Sequence, residues 1–236
     1  MTRVNRTLDV STSLLASVAR GTGGLACGTT HLGARPEQLL ELYDFEACPF
    51  CRKVREMLTF LDLEARVLPC PKGGARFRPT VSSVGGKAQF PYLVDANTRT
   101  ELYESSDIVR YLATTYGDGT IPLGLSLGPI PIVTGSIASL LRARRGSRAR
   151  PSRLPEKRLE LWSFEASPFS RIVRERLCEL ELPYVLHNVG KGSPSRAKLV
   201  ARGGKMMAPY FADENTGVEM YESAEIVAYL ERTYAA

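Results

Sequence analysis

The chain has 236 residues, of which 44% are hydrophobic and 24% are charged, a composition that supplies a core and excludes a disordered protein. Its length fits one large domain or two small ones. Lys and Arg outnumber Asp and Glu by 31 to 25, and the net charge of +6 raises the question of an anionic partner. The five cysteines are too few for a disulfide-rich secreted scaffold, and a reducing compartment fits them better.

The first 36 residues form a leader that allows two interpretations. They contain four arginines, one acidic residue and many Ser and Thr, which is typical of an organelle transit peptide. Alternatively, the segment from Thr12 onward is a structural helix, because the stretch around Ala16 resembles the one around Ala138. The two interpretations can coexist if a longer precursor loses only part of the leader.

An internal repeat begins after the leader. The segment LYDFEACPFCR at 42–52 returns 119 residues later as LWSFEASPFSR at 161–171. With a one-residue gap, the Gly-Gly-Lys, Pro-Tyr and Tyr-Glu-Ser motifs then recur in the same order. The chain is therefore predicted to contain copy one (37–117) and copy two (159–236), joined by a connector (118–158).

Hydrophobic periodicity and turn signals predict the elements of copy one. A stripe of Val54, Leu58 and Leu61 predicts the first helix, and a turn around Asn97 predicts a hairpin. A Gly- and Pro-rich passage before the hairpin contains an ill-defined helix. The predicted elements in chain order are a strand at Glu41–Phe45, a helix from Pro49, a strand at Ala65–Leu68, strands at Tyr92–Asp95 and Thr100–Tyr103, and a closing helix with Ser105 as its N-cap.

The strongest chemical signal is Cys48-Pro49-Phe50-Cys51, where the first strand gives way to a helix. At a helix N-terminus the dipole and unpaired N–H groups favour a thiolate, and they lower the pKa of Cys48 from its free value of about 8.5. Cys51 lies one turn further and can attack a mixed disulfide at Cys48. A zinc half-site is the alternative, but it needs two further ligands that no matching motif supplies. Redox chemistry is therefore favoured over a metal.

The order of elements, with Cys-x-x-Cys after the first strand and Pro91 at the start of the third, resembles the thioredoxin superfamily, most closely glutaredoxins and the N-terminal domain of glutathione transferases. The resemblance implies two tandem α/β domains, each with a four-stranded mixed sheet and about three helices. The doubled arrangement resembles a plant and algal plastid family of tandem glutaredoxin-like proteins, which implies location in the plastid (chloroplast).

The same resemblance implies a glutathione site in copy one. Pro91 would be cis and face the active cysteine, and the backbone of Phe90 would pair with the cysteinyl part of glutathione. Glu104 and Ser105 would hold the γ-glutamyl group, and Lys87 would add charge for the glycyl carboxylate. The structural alternatives are a proline that starts an edge strand, a capped helix and a solvated loop lysine.

Copy two departs from this pattern at the thiols, which are replaced by Ser167 and Ser170. It therefore cannot exchange disulfides at this position, and Cys178 is predicted to be a packed or surface thiol. Either copy two binds glutathione and Ser167 activates its thiol, or it is a degenerate structural copy, which is favoured. The possible second glutathione site consists of Ser167, Ala208, Pro209, Glu222 and Ser223.

The connector accounts for the basic charge. Residues 118–158 carry +6 and the leader +3, whereas copies one and two carry −1 and −2. The uncharged stretch 119–141 is interrupted by prolines, so packing on the domains is favoured over membrane association, which stays open. The Arg-rich stretch after it lacks aromatic residues for base stacking, so a solvated flexible linker is expected and nucleic acid is not a predicted partner.

These observations predict a glutathione-dependent thiol–disulfide oxidoreductase. Glutathione is the co-substrate, protein disulfides or glutathionylated proteins are the expected partners, and no metal is expected. A non-catalytic redox sensor or scaffold is the alternative from another class. Glutathione transferase activity is a further alternative, although the all-helical domain that follows in those enzymes is missing. The last alternative is a glutathione-ligated iron–sulfur cluster at Cys48 between two chains.

Overall fold

The computed structural model describes residues 6–19, 23–127, 130–142 and 145–236. Within these ranges the chain forms nine α-helices and eight β-strands. The helices are α1 (Arg6–Ala19), α2 (Pro49–Phe60), α3 (Arg78–Val84), α4 (Ser105–Tyr116), α5 (Leu123–Ser126), α6 (Ile130–Leu141), α7 (Pro168–Glu179), α8 (Ser195–Gly203) and α9 (Ser223–Tyr234). The strands are β1 (Leu40–Asp44), β2 (Ala65–Pro69), β3 (Tyr92–Asp95), β4 (Thr100–Leu102), β5 (Leu159–Ser163), β6 (Tyr184–Asn188), β7 (Tyr210–Asp213) and β8 (Val218–Tyr221).

Each copy contributes a four-stranded mixed unit, which confirms the predicted α/β class. In copy one the order is β4-β3-β1-β2, with β1 parallel to β2 and the other neighbours antiparallel; copy two repeats this as β8-β7-β5-β6. The two units share one sheet, because β2 pairs antiparallel with β6. This pairing satisfies the backbone groups that an edge strand would otherwise leave open.

The cores of the two copies follow the predicted stripes. Leu42 of β1 packs with Val54 and Leu58 of α2 in copy one. The core of copy two is built in the same way but also includes Val67, which lies on β2 of copy one. The hydrophobic cores are therefore joined across the β2–β6 pair.

The helix that precedes each copy in the chain packs on the other copy. The leader helix α1 packs on α7 of copy two, and the connector helix α6 packs on α2 of copy one. The contacts are equivalent: the Ser139 hydroxyl donates to the Ala47 carbonyl at 2.7 Å, and the Ser13 hydroxyl donates to the Pro168 carbonyl at 2.7 Å. The leader therefore includes the structural helix predicted from Thr12 onward, and this helix covers the more distant copy.

The basic end of the connector is anchored, so the prediction of a solvated flexible linker is wrong. Arg142 is 3% exposed and donates to Glu175 at 2.8 Å and to Asp9 of the leader at 2.7 Å. Arg150 pairs with Glu231 at 2.7 Å. Composition suggested solvation, but acidic partners far away in the sequence hold these side chains. No helix in the described part of the chain has the length and apolarity needed to cross a membrane.

A buried ionic cluster joins α2 to α7. Arg55 of copy one donates to Glu165 of copy two at 2.9 Å, and Arg174 of copy two donates to Glu46 of copy one at 3.1 Å. Arg55 also pairs with Asp44. All five side chains are at most 5% exposed. Each copy therefore neutralises a carboxylate of the other, and separating the copies would leave charges buried without partners.

The carboxyl groups of the cluster differ in their pKa. Burial alone would raise the pKa of Glu165, but Arg174, Arg55 and Arg52 outweigh it and lower the pKa to about 2. Burial dominates at Asp44 and raises its pKa to about 6 in spite of Arg55. Glu165 therefore stabilises the fold above its unfolded pKa of about 4.3, and this contribution is lost as the pH falls towards 2.

We expect the Arg174→Leu substitution to destabilise the protein by about 3–5 kcal/mol, because Glu46 and Glu165 lose a buried partner. Urea denaturation followed by circular dichroism measures the change. The control is Arg110→Leu, which removes an exposed pair with Asp107 and should cost at most about 1 kcal/mol. Equal losses in the two variants would show that the cluster does not join the copies.

We expect Ala16→Leu to destabilise the protein by about 1–3 kcal/mol, because Ala16 is fully buried and has no room for three further carbons. The matched control is Val18→Leu on the exposed face of the same helix. Thermal denaturation of both variants measures the contribution of α1. An unchanged melting temperature for Ala16→Leu would contradict the docking of the leader.

Candidate functional site

Three chain segments of copy one meet at one end of its sheet. Tyr43 near the end of β1 pairs with Tyr92 at the start of β3, and Leu102 at the end of β4 pairs with Leu93. The loop to Cys48, the turn at Pro91 and the start of α4 at Ser105 therefore leave the sheet at the same edge. A hydrogen bond of 2.8 Å from Lys53 of α2 to Ser106 of α4 ties two of these segments together.

Cys48 is the N-cap of α2, and its Sγ accepts a hydrogen bond from the backbone N–H of Cys51 at 3.4 Å. The pKa of Cys48 lies below its usual range, chiefly because the Cys51 thiol donates to it and backbone N–H groups of the first helical turn assist. Burial and the neighbouring Cys48 raise the pKa of Cys51 well above its usual range. Ionisation is thus favoured at the helix end and opposed at the thiol behind it, a difference that suits a nucleophile and a resolving thiol.

The other three cysteines are buried and lack thiolate character. Burial raises the pKa of Cys27 to about 11 and also raises the pKa values of Cys70 and Cys178. The Cys178 thiol donates to the Gly146 carbonyl at 3.1 Å, so it is packed, as the sequence predicted.

The Phe90–Pro91 peptide bond is cis, as the resemblance implied, and so is Ala208–Pro209 in copy two. The ring of Phe90 lies 6.3 Å from the ring of Phe45, which precedes Cys48 by three residues. This contact brings the turn before β3 against the loop that carries Cys48.

Glu104 and Ser105 lie at the start of α4. Glu104 is the N-cap and has a φ of 61°, a backbone conformation that is uncommon for a residue with a Cβ. Ser105, the predicted N-cap, is instead the first helical residue and is buried, so the cap lies one position earlier than predicted. The side-chain amide of Gln89 donates to the Glu104 carboxylate. Sequence reasoning missed Gln89; its polarity was the available signal, because Met207 stands at the equivalent position of copy two.

Lys87 lies above the ring of Tyr103, with its Nζ 4.7 Å from the ring centre. The Tyr103 hydroxyl donates to the Lys87 carbonyl at 3.0 Å and fills the space beside Gly85, where a Cβ would lie 1.8 Å from it. Lys205, Tyr221 and Gly203 repeat the arrangement in copy two. The recurrence of Gly-Gly-Lys with Tyr-Glu-Ser therefore has a packing cause in both copies.

Copy two positions the loop that carries Cys48. The Glu46 carboxylate accepts from Arg174, and the backbone N–H of Glu46 donates to the Cys178 sulfur at 3.4 Å. On the opposite side, Ser139 of α6 holds the Ala47 carbonyl. Sequence reasoning missed these contacts, because they join residues about 90 to 130 positions apart.

A cavity of about 710 Å³ opens beside Cys48. Phe45 and Pro49 line it from the copy one loop, and Ser136 and Leu140 line it from α6. A Cβ on Gly135 would approach Pro49 to 3.0 Å, so α6 lies directly on the first turn of α2. The helical cover that the sequence analysis considered missing is thus supplied in part by the connector.

Copy two repeats the helix cap at the corresponding place. Ser167 caps α7 as Cys48 caps α2, its hydroxyl accepts from the Ser170 N–H at 3.1 Å, and it is buried. The leader helix holds the next residue, Pro168, through Ser13. Ser223 lines a cavity of about 290 Å³ together with Asp9 and Arg176, and Ser167 is not among the residues that line it.

Neither histidine approaches the thiols: His31 pairs with Asp118 and His187 with Glu64. Within the described ranges, no group of three or more His, Cys, Asp or Glu side chains is placed to hold a metal ion.

The model of one protein family, described as the glutathione S-transferase N-terminal domain, matches residues 42–120 and again 161–236. The two matched segments coincide with the two four-stranded units, and together they span well over half of the chain. Neither the curated proteins nor the solved structures give a match.

We expect Cys48 to be alkylated by iodoacetamide at a lower pH than a free cysteine, because its thiolate is stabilised. Alkylation of each cysteine is measured by peptide mass spectrometry across pH 4 to 10, an interval set by the pKa range of thiols. Cys51→Ala should shift the Cys48 profile to higher pH, whereas Cys51→Ser, which keeps a hydroxyl donor, should shift it less. A Cys48 profile that coincides with that of free cysteine would contradict the geometry.

Proposed function

Since the chain belongs to the family of the glutathione S-transferase N-terminal domain, we propose that it is a glutathione-dependent thiol–disulfide oxidoreductase that acts at Cys48. The observation that carries the proposal is the capped thiol pair, in which Cys48 has a lowered pKa and Cys51 a raised one. A transferase that only activates bound glutathione needs one hydroxyl or thiol. The second thiol one helical turn behind is needed to resolve a mixed disulfide.

The reaction proceeds in two exchanges. The Cys48 thiolate attacks a disulfide, forms a mixed disulfide and releases one thiolate. In one route a first glutathione displaces the second substrate thiolate and stays on Cys48 as a mixed disulfide, and a second glutathione removes it as glutathione disulfide. In the other route Cys51 loses its proton, displaces the second substrate thiolate and forms the Cys48–Cys51 disulfide, which two glutathione molecules reduce. In both routes two glutathione molecules are oxidised to glutathione disulfide for each substrate disulfide reduced.

Glutathione is proposed to lie along the edge where β3 and α4 begin. The backbone of Phe90 would pair with its cysteinyl part, Glu104 and Ser105 would hold the γ-glutamyl group, and Lys87 would attract the glycyl carboxylate. The Gln89 contact with Glu104 supports this assignment, since it orients the Glu104 carboxylate.

Copy two is proposed to be a structural support. Its serines cannot exchange disulfides, α1 covers Ser167, and Arg174 and Cys178 hold the loop of the reactive thiol. The proposed partners are disulfides and glutathione adducts, and the plastid is the proposed location on the family resemblance alone.

Transfer of glutathione to an electrophile is a second candidate. The observation that favours it is the cavity under α6, which offers a place for a second substrate beside Cys48.

The test is reduction of a glutathione mixed disulfide, coupled to glutathione reductase. We expect turnover by the wild type, no turnover by Cys48→Ser, and partial turnover by Cys51→Ser on substrates that glutathione alone can release. If neither the wild type nor Cys48→Ser shows turnover, the enzyme proposal is refuted and a redox sensor is favoured. Conjugation of 1-chloro-2,4-dinitrobenzene in a parallel assay tests the transferase candidate.

The two copies provide a matched test of the glutathione site. We expect Ser105→Ala to raise the KM for glutathione about fivefold or more, because a hydrogen bond to a carboxylate is lost. Ser223→Ala changes the equivalent residue of copy two at a similar structural cost and should leave this KM unchanged. A larger effect of Ser223→Ala would assign the glutathione site to copy two.

A further inference from the structure

The cavity beside Cys48 has walls of different character. Its volume of about 710 Å³ is within the range of about 300–1,000 Å³ found for small-ligand pockets. Phe45, Pro49 and Leu140 form an apolar wall next to the thiol. Lys72, Arg145 and Arg148 stand on the side of the connector.

Two of these cations stand side by side. The backbone N–H of Lys72 donates to the Ser147 carbonyl at 2.7 Å, and the N–H of Ala149 donates to the Lys72 carbonyl at 2.9 Å. These bonds form a parallel bridge in which Lys72 is the partner of Arg148. Both side chains are exposed, and neither forms an ion pair with any residue in the described ranges. The bridge therefore presents two adjacent uncompensated positive charges to the cavity.

The remaining charges of the cavity are already neutralised. Arg145 pairs with Asp9 of the leader. Glu179 accepts from the Gly146 N–H at 3.0 Å, and its other oxygen lies 3.3 Å from Nε of Arg176. The cavity therefore has a surplus of positive charge, which favours an anionic ligand.

The thiol is covered against large substrates. Cys48 is 4% exposed, and α6 lies on the loop through the Gly135 contact with Pro49 and the Ser139 bond to Ala47. A disulfide on the surface of a folded protein would have to displace α6 in order to reach the sulfur. A small disulfide can enter the cavity with the helix in place.

Copy two lacks the cationic pair. Lys191 stands where copy one has Lys72, and it forms the same kind of parallel bridge with the leader, from Lys191 N–H to the Leu25 carbonyl at 2.8 Å. Its bridge partner is Ala26, where copy one uses Arg148. Of the two equivalent bridges, the one beside the thiols therefore joins two cations, and the one in copy two does not.

We propose that the substrate of Cys48 is a small disulfide that carries carboxylates, bound with its charge at Lys72 and Arg148. This inference rests on the proposed oxidoreductase function and narrows its substrate class. The Cys48 sulfur forms a bond to the nearer substrate sulfur, the substrate S–S bond breaks, and one carboxylate-bearing thiolate leaves. Cys51 then loses its proton, bonds to Cys48 and releases the second thiolate, and two glutathione molecules reduce the pair.

The experiment compares three disulfides of similar size and different charge with the pre-reduced full chain. They are 3,3′-dithiodipropionate, bis(2-hydroxyethyl) disulfide and cystamine, which are anionic, neutral and cationic. Release of the small thiol is followed by chromatography, and each rate is divided by the rate of the same disulfide with free dithiothreitol, a neutral thiol that differs from all three products. We expect the normalised rate of the anion to exceed that of the neutral compound about tenfold at low salt, and to lose this advantage at high salt.

Variants locate the preference. The Lys72→Gln/Arg148→Gln double variant should lose the preference for the anion and keep the rate of the neutral disulfide. Lys191→Gln, the matched change in copy two, should keep both the preference for the anion and the rate of the neutral disulfide. Equal normalised rates in the wild type, or a preference that survives the double variant, would overturn the charge assignment.

The outcomes separate this inference from the function on which it rests. A charge preference in the stoichiometric reaction without turnover by glutathione would reject the proposed reductant and retain the substrate class. Turnover by glutathione without a charge preference would reject the substrate class and retain the proposed reductant. A glutathionylated folded protein that reacts as fast as the small anion would overturn the restriction to small disulfides, as would failure of Cys48 to react with any of the three.

Discussion

The crossed pairs between Arg55 and Glu165 and between Arg174 and Glu46 are the interaction on which the rest of the structure depends. Buried charges are tolerated only with their partners, and here each partner comes from the other copy. The copies are consequently joined beneath the β2–β6 pair into one sheet. Because Glu46 lies two residues before Cys48, the same contact that joins the copies also orients the loop that carries this thiol.

The two copies share their backbone conformation but differ in the side chains at the N-termini of α2 and α7. Cap geometry, cis prolines and positive-φ glutamates recur in both copies, whereas the thiols occur only in copy one. The leader and connector helices pack on equivalent helices of the two copies, since α1 lies on α7 and α6 lies on α2, where it borders the cavity at Cys48. Copy two thus holds the loop that carries Cys48, and the thiols lie in copy one beside the cavity.

Sequence reasoning succeeded where the controlling interactions are local. The strand before Cys48, the amphipathic stripe of α2 and the hairpin around Asn97 depend on neighbouring residues. Neither the predicted ends of these strands nor the predicted start of α2 differs from the structure by more than one residue. Sequence reasoning failed for Arg142 of the connector, which composition assigned to solvent. Arg142 is buried because Asp9 and Glu175, far away in both directions along the chain, neutralise it.

The sequence by itself determined the duplication, the α/β class, and the thiol pair at a helix N-terminus, because repeats, hydrophobic periods and a Cys-x-x-Cys spacing are properties of contiguous residues. Only the tertiary structure decided that β2 pairs with β6 and that α1 and α6 each pack on the copy that does not directly follow them. It also decided that Lys72 forms a bridge with Arg148 beside Cys48. These contacts join segments separated by 76 to 158 residues or by a whole domain. Their formation depends on buried charge and unpaired strand edges finding partners, which no local pattern encodes.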